Sequence, residues 1–288
     1  MATVKDFRND VRPNWCPGCG DFSVQASLQR ALASMGKEPH EVAIISGIGC
    51  SGRISGYVNT YGFHGVHGRS LPTAQGVKLA NRDLTVIASG GDGDGFGIGL
   101  NHFMHAVRRN MDITYIVMDN QIYGLTKGQH SPTSAHGFKA KTTPAGNIAN
   151  ALVPTQIALA AGIGFLGQGF SSDVNQLVSL IQQAIEYKGF SLINVFSPCV
   201  TYNKINTYDW YRENVVNLDN RPDYDPADRA TAMRTVIETH GLCTGLIYKD
   251  DSRVAYEDQI QGYASRPLSE ADLRLERKVF EEAIHEFA

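Results

Sequence analysis

Apolar residues fall along this chain in two alternating rhythms. Continuous runs occur at VAIIS (residues 42–46), LTVIAS (84–89), ITYIVMD (113–119) and SLINVFS (191–197). A short apolar run bounded by turn residues fits a strand buried on both faces. Between the runs, apolar positions recur three or four apart, as on one face of a helix. Val24, Leu28, Ala31, Leu32 and Met35 form one such face, with Gly36 placed to cap it. Residues 99–109 suit a second helix, and Val174, Leu177, Val178, Ile181, Ala184 and Ile185 form a third after Ser172. Strands alternating with helices predict an α/β fold with a mostly parallel sheet flanked by helices. After residue 200 the rhythm loosens into TYNKINTYDWYREN and RPDYDPADR, and a charged helix is expected in residues 269–288. Residues 1–200 are therefore expected to form the α/β domain, and 201–288 a C-terminal extension packing on that core or on a partner subunit.

Composition narrows the function classes. A chain of 288 residues, 42% hydrophobic and 19% charged, can bury a full core. A net charge of −3 without a long Lys/Arg run argues against nucleic-acid binding. No apolar stretch approaches the ~18 residues of a membrane span. The polar start, MATVKDFRNDVRPNW, does not read as a secretory signal. The expected compartment is the cytoplasm, where five cysteines are not a disulfide framework.

The densest chemical signal is GGDGDGFGIG, directly after the strand LTVIAS and opening a helix. Glycines let the backbone approach an anion, and a helix N-terminus favours negative charge. Asn120 lies 28 residues beyond Asp92, a gap that accommodates one helix and one strand. A right-handed crossover would set both at the carboxyl ends of adjacent strands, where such sheets bind ligands. A carboxylate, an amide oxygen and a nearby carbonyl would give magnesium three hard ligands, leaving room for diphosphate oxygens and water. A Rossmann-type nucleotide site is the competing reading, but the regular GxGxxG spacing is missing.

Cys16 and Cys19 form a CxxC in NWCPGCGD. Cys50 follows the strand VAIIS, and Cys199 follows SLINVFS. If those strands are parallel in one sheet, four sulfurs converge beside the glycine-rich turn. Zinc, a 4Fe–4S cluster and plain core cysteines all remain open on spacing alone.

Several motifs then agree in order. GDG followed by Asn120 closely resembles the thiamine diphosphate motif. Together with WCPGCGD, GIGCSGR, HGVHGRSLPTAQGVKLA, SGGDGDGFGIGLNHFMHAVRRN and DNQIYGLTKGQHSPTS, it resembles the β subunit of 2-oxoacid:ferredoxin oxidoreductases over residues 14–202. The resemblance implies the thiamine diphosphate-binding fold, with Asp92, Asn120 and the Ile122 carbonyl as magnesium ligands. Gly93, Asp94, Gly124 and Leu125 would contact the cofactor. Ile48, Gly49, Cys50 and Ser51 would line its pocket, and His67 would touch it. Cys16, Cys19, Cys50 and Cys199 would hold a 4Fe–4S cluster, with Cys243 left as core. Iron suits the implied reaction, because decarboxylation releases electrons in pairs and ferredoxin accepts them singly, whereas zinc has no redox state to offer.

The resemblance also implies incompleteness. Thiamine sites lie between two domains, and only the diphosphate-binding one is visible here. A larger α subunit would supply the other half, including the activating glutamate, in an (αβ)2 assembly with ferredoxin and coenzyme A as reaction partners. Arg53 in GCSGR could clamp a substrate carboxylate. Leu125 would limit the tail of the 2-oxoacid. The motifs look most like 2-oxoglutarate members, with succinyl-CoA and CO2 as products. Pyruvate, broad 2-oxoacid specificity, or a non-redox thiamine-dependent decarboxylase with structural zinc are the alternatives.

Overall fold

The apolar runs become strands of one eight-stranded sheet in the computed structural model, which describes residues 2–260, 267–272 and 274–286. In chain order the first half holds α1 (Asp21–Ser34), β1 (Val42–Ser46), β2 (Tyr61–His64), α2 (Ser70–Ala80), β3 (Thr85–Gly91), α3 (Leu100–Arg109) and β4 (Ile113–Asp119). A small hairpin, β5 (Ile122–Tyr123) and β6 (Gln129–His130), stands apart from the sheet. Then come α4 (Pro154–Ala161), β7 (Phe165–Phe170), α5 (Val174–Glu186), β8 (Phe190–Phe196), α6 (Tyr208–Asn214), β9 (Val216–Asn217), α7 (Arg229–Glu238), β10 (Cys243–Lys249) and α8 (Arg277–His285).

The strand order is β2-β1-β3-β4-β8-β7-β10-β9. Every neighbouring pair is parallel except β10 against β7. Strand β4 is buried at all seven positions, as a run without polar alternation requires in a central parallel strand. Its side chains still alternate. Ile116 and Met118 pack with α1 and α5 on one face, while Tyr115 and Val117 pack with α2, α3, α4 and α7 on the other. Each buried aliphatic side chain contributes about 1.5–3 kcal/mol, and the two layers clamp the sheet between them.

Local signals explain the helix ends. Gly36 takes the left-handed conformation (φ 70°) just past α1, as a C-terminal glycine should. Asn110 does the same after α3 at φ 57°. For α5 the cap is Asp173 rather than Ser172, its carboxylate accepting the Gln176 N–H at 3.1 Å.

The region after residue 200 is more deeply built in than its loose pattern suggests. Strands β9 and β10 extend the sheet, and Ala232 and Val236 of α7 enter the core. Of the charged helix expected in residues 269–288, Arg277–His285 is helical with no buried residue, and 273 and 287–288 lie outside the described residues.

Candidate active site

Four adjacent parallel strands deliver the chemistry to one rim. In the order β1, β3, β4, β8 their carboxyl ends lead to Cys50, Asp92, Asn120 and Cys199. The registers hold the ends level, with Ser46 beside Ser89, Gly91 beside Met118 and Asp119 beside Phe196. This is the edge at which an open α/β sheet binds ligands.

The glycine-rich turn leaves β3 at Asp92 and passes through a π-helical turn, Asp94–Ile98, before α3 begins. Such turns recur at functional sites. A Cβ on Gly93 would sit 2.2 Å from Cε1 of Tyr123, whose hydroxyl donates to the Gly93 carbonyl at 3.2 Å. Glycine is therefore required for the hairpin to close over the turn.

Asp92 is 1% exposed. Its Oδ2 accepts the Ser131 hydroxyl at 2.5 Å and the Thr133 hydroxyl at 2.6 Å, and its Oδ1 has a long contact, 3.4 Å, with the Asn120 N–H. Gln121 adopts a left-handed backbone (φ 60°), with its N–H held by Asp119 Oδ1 and its carbonyl by the Ser134 hydroxyl. That kink, costing about 1–3 kcal/mol, sets Asn120 and Ile122 on the same cavity wall. Burial pushes Asp92 above the usual carboxylate range and Asp119 to about 8, with Asp92 as the next cause for Asp119. Two buried carboxylates bridged by the Thr133 hydroxyl form a site that favours a cation. The loosely engaged Asp92 Oδ1, the second lone pair of Asn120 Oδ1 and the Ile122 carbonyl fit magnesium.

These walls enclose a cavity of about 350 Å³, lined by residues 48–51, His67, residues 91–94, Asn120 and residues 122–126. Ile48, Gly49, Cys50, Ser51, His67, Gly93, Asp94, Gly124 and Leu125 all line it. One detail differs: the Asp94 carboxylate is 1% exposed and turned into the loops behind the wall.

Cys16, Cys19, Cys50 and Cys199 are all free thiols lining a second cavity of about 200 Å³. A Cβ on Gly124 would touch both Cys199 Sγ (3.8 Å) and Cys50 Sγ (3.9 Å). Burial raises Cys50 to about 11 and Cys19 further, Asp21 adding to both, so these two thiols stay protonated at neutral pH. Among the described residues, no three His, Cys, Asp or Glu side chains close tightly enough to hold a metal ion. A tetrahedral zinc with Zn–S of about 2.3 Å would draw its sulfurs to about 3.8 Å apart. Four sulfurs around one cavity suit a thiolate-bound metal, whether zinc or an iron–sulfur cluster. Cys243 lies elsewhere, fully buried in the core.

The two cavities share Cys50, Asn120, Gly124 and Leu125 as common wall. Arg53 lines the cysteine side of that wall, and Leu125 lines both. Another polar cavity, about 330 Å³, opens at the amino ends of β3 and β4. There Lys78 and Lys188 pair with Asp112 at 3.0 and 3.6 Å. Sequence reasoning missed Asp119, Ser131 and Thr133. Asp119 adjoins Asn120, and both hydroxyls lie in HSPTS, but nothing in their spacing shows that the hairpin folds back onto Asp92.

Comparison with known proteins places the fold and the family. The family model described as thiamine pyrophosphate enzyme, C-terminal TPP binding domain, matches residues 47–195. The model for the C-terminal region of the pyruvate ferredoxin oxidoreductase beta subunit matches residues 199–265. The chain is 39% identical to 2-oxoacid:ferredoxin oxidoreductase 2, subunit beta, of Aeropyrum pernix over 96% of this chain and 94% of that one. It is 47% identical to the corresponding beta subunit of a Sulfolobus species over 91% and 88%. A solved structure, the 2-oxoglutarate:ferredoxin oxidoreductase from Magnetococcus marinus with 2-oxoglutarate, coenzyme A and succinyl-CoA bound, superimposes with a TM-score of 0.86. It shares 41% identity over 89% of this chain and 88% of that chain. The resemblance read in the sequence holds, and the chain belongs to the 2-oxoacid:ferredoxin oxidoreductase beta subunits.

Proposed function

We propose that this chain is the thiamine diphosphate-binding half of an enzyme that oxidatively decarboxylates 2-oxoglutarate, with coenzyme A, to succinyl-CoA and CO2. The observation that carries the reading is the wall shared by the oxygen-lined and sulfur-lined cavities. Thiamine diphosphate held there would supply a nucleophilic carbon and an electron sink for the 2-oxoacid, and a 4Fe–4S cluster held by the cysteines would supply one-electron transfer towards ferredoxin.

The chain's own residues would do the following. Asp92, Asn120 and the Ile122 carbonyl hold magnesium, and Gly93 leaves room for the diphosphate. Ile48, Gly49, Ser51 and Gly124 wall the cofactor, while His67 offers a polar edge to it. Cys16, Cys19, Cys50 and Cys199 ligate the cluster. Arg53 attracts the substrate carboxylate, and Leu125, 45% exposed, limits the substrate tail. The 2-oxoglutarate assignment is supported by the molecules named in the Magnetococcus marinus structure.

The partner would be a larger α subunit, in an (αβ)2 assembly. Exposed Val66 and Ile98 adjoin His67 and Gly68 at the cavity mouth, an apolar margin suited to a subunit interface. No described helix is long and apolar enough to cross a membrane. Reduced thiols and a ferredoxin partner suit the cytoplasm, and the extension after residue 200 would complete both the sheet and the partner contact. The test is co-purification of the complex, analysis of iron, sulfide and thiamine, and steady-state turnover. A higher kcat/KM for pyruvate than for 2-oxoglutarate overturns the substrate assignment, and a colourless, zinc-loaded protein overturns the cluster.

A further inference from the structure

Asp94 is surrounded by features that its place in a glycine-rich turn does not require. Its Oδ1 accepts the backbone N–H of Ile48 at 2.9 Å and of Gly68 at 2.8 Å, and stands 3.1 Å from Nδ1 of His67. Its Oδ2 has no hydrogen-bond partner. That oxygen occupies space kept open by glycine, since an added Cβ would lie 1.9 Å away at Gly47 and 2.7 Å away at Gly90. A buried carboxylate with one oxygen unpaired is costly.

What this cost secures is the placement of one ring. His67 lines the larger cavity with its side chain 39% exposed, and its ring centroid lies 6.1 Å from that of Tyr123. With Nδ1 against an acceptor-only oxygen, the opposite edge of the imidazole, Nε2, is left for the cavity. The same carboxylate oxygen joins the turn after β1, the turn following His67 and the ring itself.

We propose that Asp94 is a positioning residue: it fixes His67 through Nδ1, presents Nε2 to the cofactor's diphosphate end, and makes no cofactor contact through its own carboxylate. This rests on the larger cavity being the thiamine diphosphate site. The role resembles that of a carboxylate orienting a metal-bound histidine from behind, where removal costs about 10–100-fold.

The test is a double-mutant cycle with the full-length chain purified with its partner subunit. Thiamine diphosphate affinity is measured by calorimetry in magnesium for wild type, Asp94→Asn, His67→Ala and the double variant. Asp94→Asn is expected to weaken binding about 10–100-fold in the wild-type background, and to change it less than about twofold once His67 is gone. An equal loss in both backgrounds makes Asp94 a general brace and overturns the proposal. Wild-type protein that binds no thiamine diphosphate overturns the cofactor reading and this proposal with it. Nitrogen-15 spectra of histidine-labelled wild-type chain need no cofactor and no variant fold beyond the His67→Ala control that assigns the signal. A protonated Nδ1 on His67 supports the proposal, and a bare Nδ1 overturns it.

Discussion

Asp21 should make the cofactor-free chain less stable as pH rises through the mildly acid range. It begins α1 immediately after the CxxC and is 1% exposed. The Ser197 hydroxyl donates to its Oδ1 at 2.6 Å, and its Oδ2 has no partner. Burial pushes its pKa from 3.8 to about 6, with the Ser197 and Cys19 donors only partly opposing. The folded chain therefore holds this proton more tightly than the unfolded chain. The stabilisation is complete below about pH 4 and is lost as pH rises through 6. A rise of that size is worth about 3 kcal/mol over the full range. Roughly 2 kcal/mol of that falls between about pH 4.5 and 7.5. Asp21→Asn abolishes the titration but leaves a side chain of nearly the same shape. Urea unfolding of both proteins across that window should show the variant gaining stability on wild type by about 2 kcal/mol towards neutral pH. Parallel curves would refute the claim that this carboxyl is desolvated. The same burial keeps the neighbouring thiols of Cys19 and Cys50 protonated.

Other outcomes follow from the same walls. Serine at Cys16, Cys19, Cys50 or Cys199 should remove the broad absorbance near about 400 nm from anaerobically purified protein. Cys243→Ser should keep the absorbance and lower only Tm. Gly93→Ala drives a methyl into the Tyr123 ring, so it should cost about 1–3 kcal/mol and abolish thiamine diphosphate binding. Adding Tyr123→Ala should restore the lost Tm. Thr133→Val strips a 2.6 Å donor from Asp92 and the bridge to Asp119, and should raise the magnesium needed for cofactor binding by about tenfold. Arg53→Gln should raise KM for the 2-oxoacid with little change in cofactor affinity, measured by steady-state kinetics beside calorimetry.

The legible part of the fold was the part in which one signal is enough. ITYIVMD can only be a strand buried on both faces, and it is β4 residue for residue. FLGQGF was not read as a strand because two glycines mask it. In the sheet, Gly167 and Gly169 face Ile193, Leu177 and Leu180 so closely that side chains there would collide or press on them. CTGLIYK was missed for the related reason that it follows a region of aromatic and turn residues. It pairs antiparallel to β7, outside the βα rhythm that located the other strands.

The site divides along the same line. A residue that sits directly after a strand inherits its position from sheet topology, so the placing of Cys50, Asp92, Asn120 and Cys199 at one rim was readable once their strands were. The groups behind them arrive by another route. Ser131 and Thr133 come back from the far side of a hairpin, and Asp94 turns away from the cavity its neighbours line. Their partners are fixed by loop closure, which leaves no period in the sequence. The parallel sheet sets where the two chemistries meet, and the loops set the orientation and charge of each group there. Exchanging a rim residue should therefore remove a cofactor outright, whereas exchanging a loop residue such as Thr133 should retune its binding by a measurable factor.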